Sequence, residues 1–107
     1  MSLPSTIGGP QAGNAYYGPT GSIGGAALAA GASASGSVVI PGASAIMANG
    51  GVIVVSPATP GAPGAGFHWV GYMDASTTDQ VDVEVTNVSG SIGTPTASEY
   101  MVCVFGI

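Results

Sequence analysis

The chain has 107 residues, no Lys or Arg, three Asp, two Glu and one His, for a net charge of −5. An average soluble domain is about one-quarter charged, or roughly 27 residues at this length. Five acids and no cation exclude a nucleic-acid surface, a polybasic membrane contact, and catalysis built on Lys or Arg.

Hydrophobic residues make up 46% of the chain and mean hydropathy is +0.51, enough for a packed core. One domain is the natural count at this length. Gly and Pro are front-loaded: residues 1–36 hold 9 Gly and 3 Pro, against 4 Gly and 1 Pro in 71–107. Residues 1–30 read as an extended arm, because Gly8-Gly9-Pro10, Gly18-Pro19 and Gly24-Gly25 are turn and loop signals. Ile7, Tyr16 and Tyr17 are apolar anchors within it. Residues 26–36 are small and read as extended or as a single helical turn.

From residue 37 the pattern is β. Ser37–Ile40 is a branched run stopped by Pro41-Gly42, and Val52–Val55 is another, stopped by Ser56-Pro57. Residues 58–65 form a loop. Gly66–Met73 is an aromatic strand carrying Phe67, Trp69 and Tyr72. Asp74–Asp79 is a turn. In Gln80–Val88, Val81, Val83 and Val85 alternate with Asp82, Glu84 and Thr86, so one face is buried and one is wet. After a loop over 89–97, Ser98–Gly106 is the last strand.

The expected fold is all-β: a compact antiparallel β-sandwich or small barrel over residues 31–107, with the Gly-rich extended N-terminal arm before it. The last strand is apolar on both faces, with Tyr100, Val102 and Val104 on one and Met101, Cys103 and Phe105 on the other. Val52–Val55 is two-faced as well. A small antiparallel sheet normally wets one face, so two-faced strands imply either a thick sandwich or a subunit interface, and at this length the interface is favoured. Ile53, Val55, Phe67, Trp69, Met101 and Phe105 are the candidate interface residues, together with Ile7, Tyr16 and Tyr17 from the arm. Without Lys to guard its edge strands, the chain must use Pro41 and Pro57, acidic side chains or closure by neighbouring copies, which again points to a closed oligomer.

The residues that could carry chemistry are sparse. Cys103 is alone, so an intrachain disulfide or a zinc-ligand pattern has no second cysteine. His68 sits between two aromatics and is expected to pack or to hydrogen-bond. Asp82 and Glu84 share a strand face and are expected to be solvated. Asp74 and Asp79 match no calcium-loop spacing. Trp69 and Tyr72 offer flat faces for a sugar, but core or interface packing is the favoured reading. The Gly-rich stretches match neither a P-loop nor a nucleophile elbow. The expectation is a non-enzyme with no cofactor and no metal, and without nucleic-acid or membrane partners. The start Met-Ser-Leu-Pro-Ser-Thr lacks the basic region of a secretory signal, which leads to the expectation of synthesis in a cytoplasm.

Several segments in order carry a resemblance. They are Gly31-Ala32-Ser33-Ala34, Val38-Val39-Ile40-Pro41-Gly42-Ala43 and Val52-Ile53-Val54-Val55-Ser56-Pro57. These are followed by Gly66-Phe67-His68-Trp69-Val70-Gly71-Tyr72, Val81-Asp82-Val83-Glu84-Val85-Thr86-Asn87-Val88 and Thr94-Pro95-Thr96-Ala97-Ser98-Glu99-Tyr100. This ordered set resembles a small β module of virion proteins from tailed bacteriophages and covers about 70% of the chain. The chain departs from that pattern in having no long shaft or coiled coil and in its acidic Val-x-Val-x-Val strand.

The resemblance implies a structural role on the capsid surface of a virion, made in the host cytoplasm. A capsid decoration, or cement, protein that binds the major capsid protein as a homo-oligomer, with a trimer favoured, is the first expectation. The alternative is a short head or tail appendage that binds a host-surface glycan or receptor.

Overall fold

A computed structural model describes residues 5–6, 9–10 and 15–106, with side chains from residue 15 onward. Ile7, expected as an anchor, lies outside the described residues. Among the described residues, eight strands and one short helix follow in order. They are β1 (Ser5–Thr6), β2 (Gly9–Pro10), β3 (Ala15–Pro19), β4 (Ser33–Val39), α1 (Ala43–Ala48), β5 (Val52–Pro57), β6 (Phe67–Met73), β7 (Gln80–Asn87) and β8 (Tyr100–Phe105). β1 and β2 pair with each other. The remaining strands form two three-stranded antiparallel sheets, ordered β3–β8–β5 and β4–β7–β6.

The all-β sandwich is the fold the strand pattern predicts, and β7 shows why. Val81, Val83, Val85 and Asn87 are fully buried while Asp82, Glu84 and Thr86 face outward. From the other sheet Tyr100, Val102 and Val104 are also fully buried. Ile23, Ile40 and Ala43 complete the core, with Tyr16, Ile53, Val55, Phe67 and Met73 packed around it. Each such Val contributes about 1.5–3 kcal/mol by leaving water.

Two features depart from the expected layout. First, the arm does not run to residue 30. Ala15–Pro19 is an edge strand paired with β8, from Ala15 opposite Phe105 to Pro19 opposite Met101. Residues 20–31 then run antiparallel to 87–100. Thr20 N–H donates to the Tyr100 carbonyl, Ile23 and Ser98 exchange two bonds, Leu28 and Gly93 exchange two more, and Gly31 N–H donates to the Asn87 carbonyl. The connections β3–β4 and β7–β8 therefore cross between the sheets side by side, and Ile23 reaches the core. Turn residues marked this stretch as loop, but its main-chain groups find partners some 70 residues away, beyond the reach of any local signal.

Second, Ala43–Ala48 is helical. Ala and Met favour helix, but the segment is too short to stand alone. Its start has no cap of its own: Gly42 adopts φ 96° and no side chain there bonds the helix. Asp79, in the β6–β7 turn, supplies the missing group. Ser44 N–H donates to Asp79 Oδ1 at 2.9 Å, and Asp79 N–H donates to Ser44 Oγ at 2.8 Å.

The sheets approach closely along one side. A Cβ on Gly71 of β6 would collide with the Val55 methyl of β5. On β4, a Cβ on Gly36 would stand 2.8 Å from Ile23 Cγ1. Both glycines are needed for the space they leave, which nearby side chains fill.

Candidate functional site

Strand pairing decides what each two-faced strand presents to solvent. Val102 and Val104 of β8 point inward, so their partners do too: Gly18 and Tyr16 on β3, Val55 and Ile53 on β5. The alternate positions form the outer face in three rows. These are Ala15–Phe105–Val52, Tyr17–Cys103–Val54 and Pro19–Met101–Ser56. None of the nine is charged, and five are large or aromatic. Val52, Val54, Met101 and Phe105 are 51, 48, 38 and 41% exposed. Exposed apolar side chains are ordinarily scattered singly, whereas these four stand together on one face.

This geometry sorts the residues expected at an interface. Met101, Phe105 and Tyr17 lie on the outer face. Ile53, Val55 and Tyr16 do not: they point inward and pack against the core. Val52 and Val54 take their place on the surface. The sequence signal is ambiguous there, since a run of four β-branched residues looks alike in either register. Phe67 also packs against the core.

Trp69 is on the inward side of β6, opposite Val85, but at the sandwich rim, where it remains 40% exposed. Its ring lies 6.3 Å from that of Tyr100, tilted by 52°. Its Nε1–H donates to the Val55 carbonyl at 2.9 Å. Val55 lies on an edge strand, so the indole covers a main-chain acceptor that a second chain could otherwise use. With Phe67 and His68, Trp69 lines a shallow depression of about 240 Å³.

The outer face of the other sheet is different in kind. Gln80, Asp82, Glu84 and Thr86 run along its centre, flanked by Ser33, Ser35, Ser37 and Val39 on β4 and by His68, Val70 and Tyr72 on β6. Glu84 is the main cause of a raised Tyr72 phenol, with burial, Asp82 and Asp74 adding to it. Asp74 is held below the ordinary carboxylate range by a hydrogen bond shared with Asp82 and by the N–H groups of Ser76 and Thr77. Asp82 itself is pulled down by the Gln80 amide, but burial and the neighbouring Asp74 outweigh this and raise it. Burial raises the Cys103 thiol.

One buried polar group stands out. The Asn87 amide donates to the carbonyls of Leu28 at 2.9 Å and Ser91 at 2.8 Å, and its Oδ1 accepts from Ser89 N–H and Oγ. Asn87 thereby pins both crossing connections. Among the described residues no cluster of three or more His, Cys, Asp or Glu could hold a metal ion, and no helix is long and apolar enough to cross a membrane.

No protein-family model, no curated protein and no solved structure matches the chain. What the fold and this surface define is a small antiparallel β-sandwich with one uncharged, apolar outer face and one acidic, polar one.

Proposed function

We propose that the protein is a virion structural protein: a capsid decoration protein of a tailed phage that binds the major capsid protein and stabilises the shell as a homo-oligomer, with a trimer favoured. The observation that carries this reading is the nine-residue uncharged outer face, a surface suited to permanent apolar contact in an assembly. The ordered segments that resemble phage virion modules supply the particle. Many symmetric copies on a shell would make modest single contacts sufficient.

The test is binding of the purified protein to empty, expanded capsids of the phage that encodes it, read by particle reconstruction. Copies at regular lattice positions are expected. Binding to host cells or polysaccharide with no binding to capsids would overturn the reading. Residues 1–14 are the segment to delete when testing whether an arm holds the shell, because removing residues 1–25 would also take β3 and Ile23 from the fold. Loss of capsid binding with the sandwich intact is expected.

The second reading, an appendage that binds a glycan, draws on the Phe67–His68–Trp69 depression. The indole N–H is already engaged with the Val55 carbonyl, which leaves stacking as the main contact it could offer a sugar.

A further inference from the structure

We propose that the outer face of the β3–β8–β5 sheet is covered by further copies of this same chain, packed face to face about strand β8. The inference rests on the reading of the protein as an assembling particle component and assigns that surface its partner.

Charge selects the occupant. Every copy carries −5 and no Lys or Arg, so no two surfaces of two copies can form an ion pair with those side chains. Self-association has to proceed through neutral contact and must keep the acids apart. Asp82 and Glu84 point out from the opposite sheet, and Asp74 and Asp79 sit in its β6–β7 turn. Glu99 is the nearest acid; one residue before β8, it lies beyond the Met101 row at the end of the face. The nine residues between contain no carboxylate. A partner drawn to a polyanion would be cationic, and this face offers a cation nothing to pair with. A second copy packed here brings no carboxylate among the nine residues, so only the overall like charge opposes it, and it covers Val52, Val54, Met101 and Phe105.

Geometry supplies a reporter. Cys103 is the centre of the middle row, between Tyr17 and Val54, and is half-buried in the single chain. Face-to-face contact about β8 covers it further.

The experiment uses the full chain. Light scattering across a dilution series should give a mass that is a whole multiple of 10.2 kDa. The Cys103 thiol should react with a bulky disulfide reagent at least about tenfold more slowly in the assembled state. Raising salt from about 0.05 to about 0.5 M should leave association unchanged or strengthen it, because salt screens only repulsion between like-charged copies. Val54→Glu and Met101→Glu should each give a folded monomer, whereas Val70→Glu, at an equally exposed position on the other sheet, should leave the oligomer intact. Should the Glu variants fail to fold, the double variant Val54→Ser and Met101→Ser should still fold and associate at least about tenfold more weakly.

A wild-type monomer at all concentrations overturns the proposal, as does an oligomer that survives the face variants. A wild-type monomer whose capsid binding is lost in Val54→Glu assigns the face to the shell, overturning this inference and leaving the decoration reading in place. A wild-type monomer whose Cys103 becomes reactive only when residues 1–14 are deleted assigns the face to the chain's own N-terminus, and also overturns it. An oligomer that behaves as expected but ignores capsids supports this inference and overturns the decoration reading.

Discussion

The indole N–H of Trp69 donates to the main-chain carbonyl of Val55, 2.9 Å away on the facing sheet. Gly71, two residues along β6, presses its backbone against the Val55 side chain. These two contacts close one side of the sandwich. Trp69→Phe keeps most of the apolar contact and removes the hydrogen bond, so it should cost about 1 kcal/mol by urea denaturation. No loss of stability would show that this bond contributes nothing to holding the sheets together.

The glycine contacts give a sharper test. Gly36→Ala places a methyl group against Ile23 and should destabilise by about 1–3 kcal/mol. Ile23→Val trims the side chain it meets. The double variant should therefore be more stable than the sum of the two single effects predicts, and a double-mutant cycle measures the difference. Strict additivity would mean that the two side chains do not meet.

Asn87 joins the two crossing connections through four hydrogen bonds. Asn87→Ala takes one donor from the Leu28 and Ser91 carbonyls, removes the acceptor of Ser89 N–H and opens a cavity, and should cost about 2 kcal/mol or more. Asn87→Asp nearly preserves the shape but turns the carboxylate oxygen toward those two acceptors. It should be the more damaging change at neutral pH and should recover in part on acidification, read as a midpoint shift in thermal unfolding across pH.

Asp79 caps α1 from a distance. The N–H groups of Ser44 and Gly42, with the Ser44 hydroxyl, hold its carboxyl below the ordinary carboxylate range, more strongly than burial raises it. The folded-state pKa is therefore lower than the unfolded one, near 4. The stabilisation is fully present above that unfolded value and is lost as pH falls through the folded one. Asp79→Ala should cost about 1 kcal/mol at pH 7, a typical cap value, and should flatten the acid limb of the stability profile. A variant that keeps the wild-type acid limb would exclude Asp79 as a contributor.

Tyr100 tests the opposite case. Its ring is fully buried and, among the described residues, its hydroxyl has no hydrogen-bond partner. Tyr100→Phe removes an unsatisfied group at nearly constant shape, so it should be neutral or stabilising in the same urea assay. A loss above about 1 kcal/mol would mean that the hydroxyl finds a partner in solution.

The sequence by itself determined the β class, the orientation of β7 and the chemical limits of the surface. Val81, Val83 and Val85 alternate with Asp82, Glu84 and Thr86, and opposite chemistry on opposite faces leaves one register favourable. The missing Lys and Arg need no fold to be read. The tertiary structure alone decided the orientation of β5. Val52, Ile53, Val54 and Val55 are chemically alike, so a period of two carries no direction; pairing with Val102 and Val104 turned Ile53 and Val55 inward and left Val52 and Val54 outside. It also decided that Ala15–Pro19 is a strand and that Asp79 caps a helix 35 residues away. Those outcomes depend on partners distant in the chain, and local propensity is blind to a partner that only folding brings near.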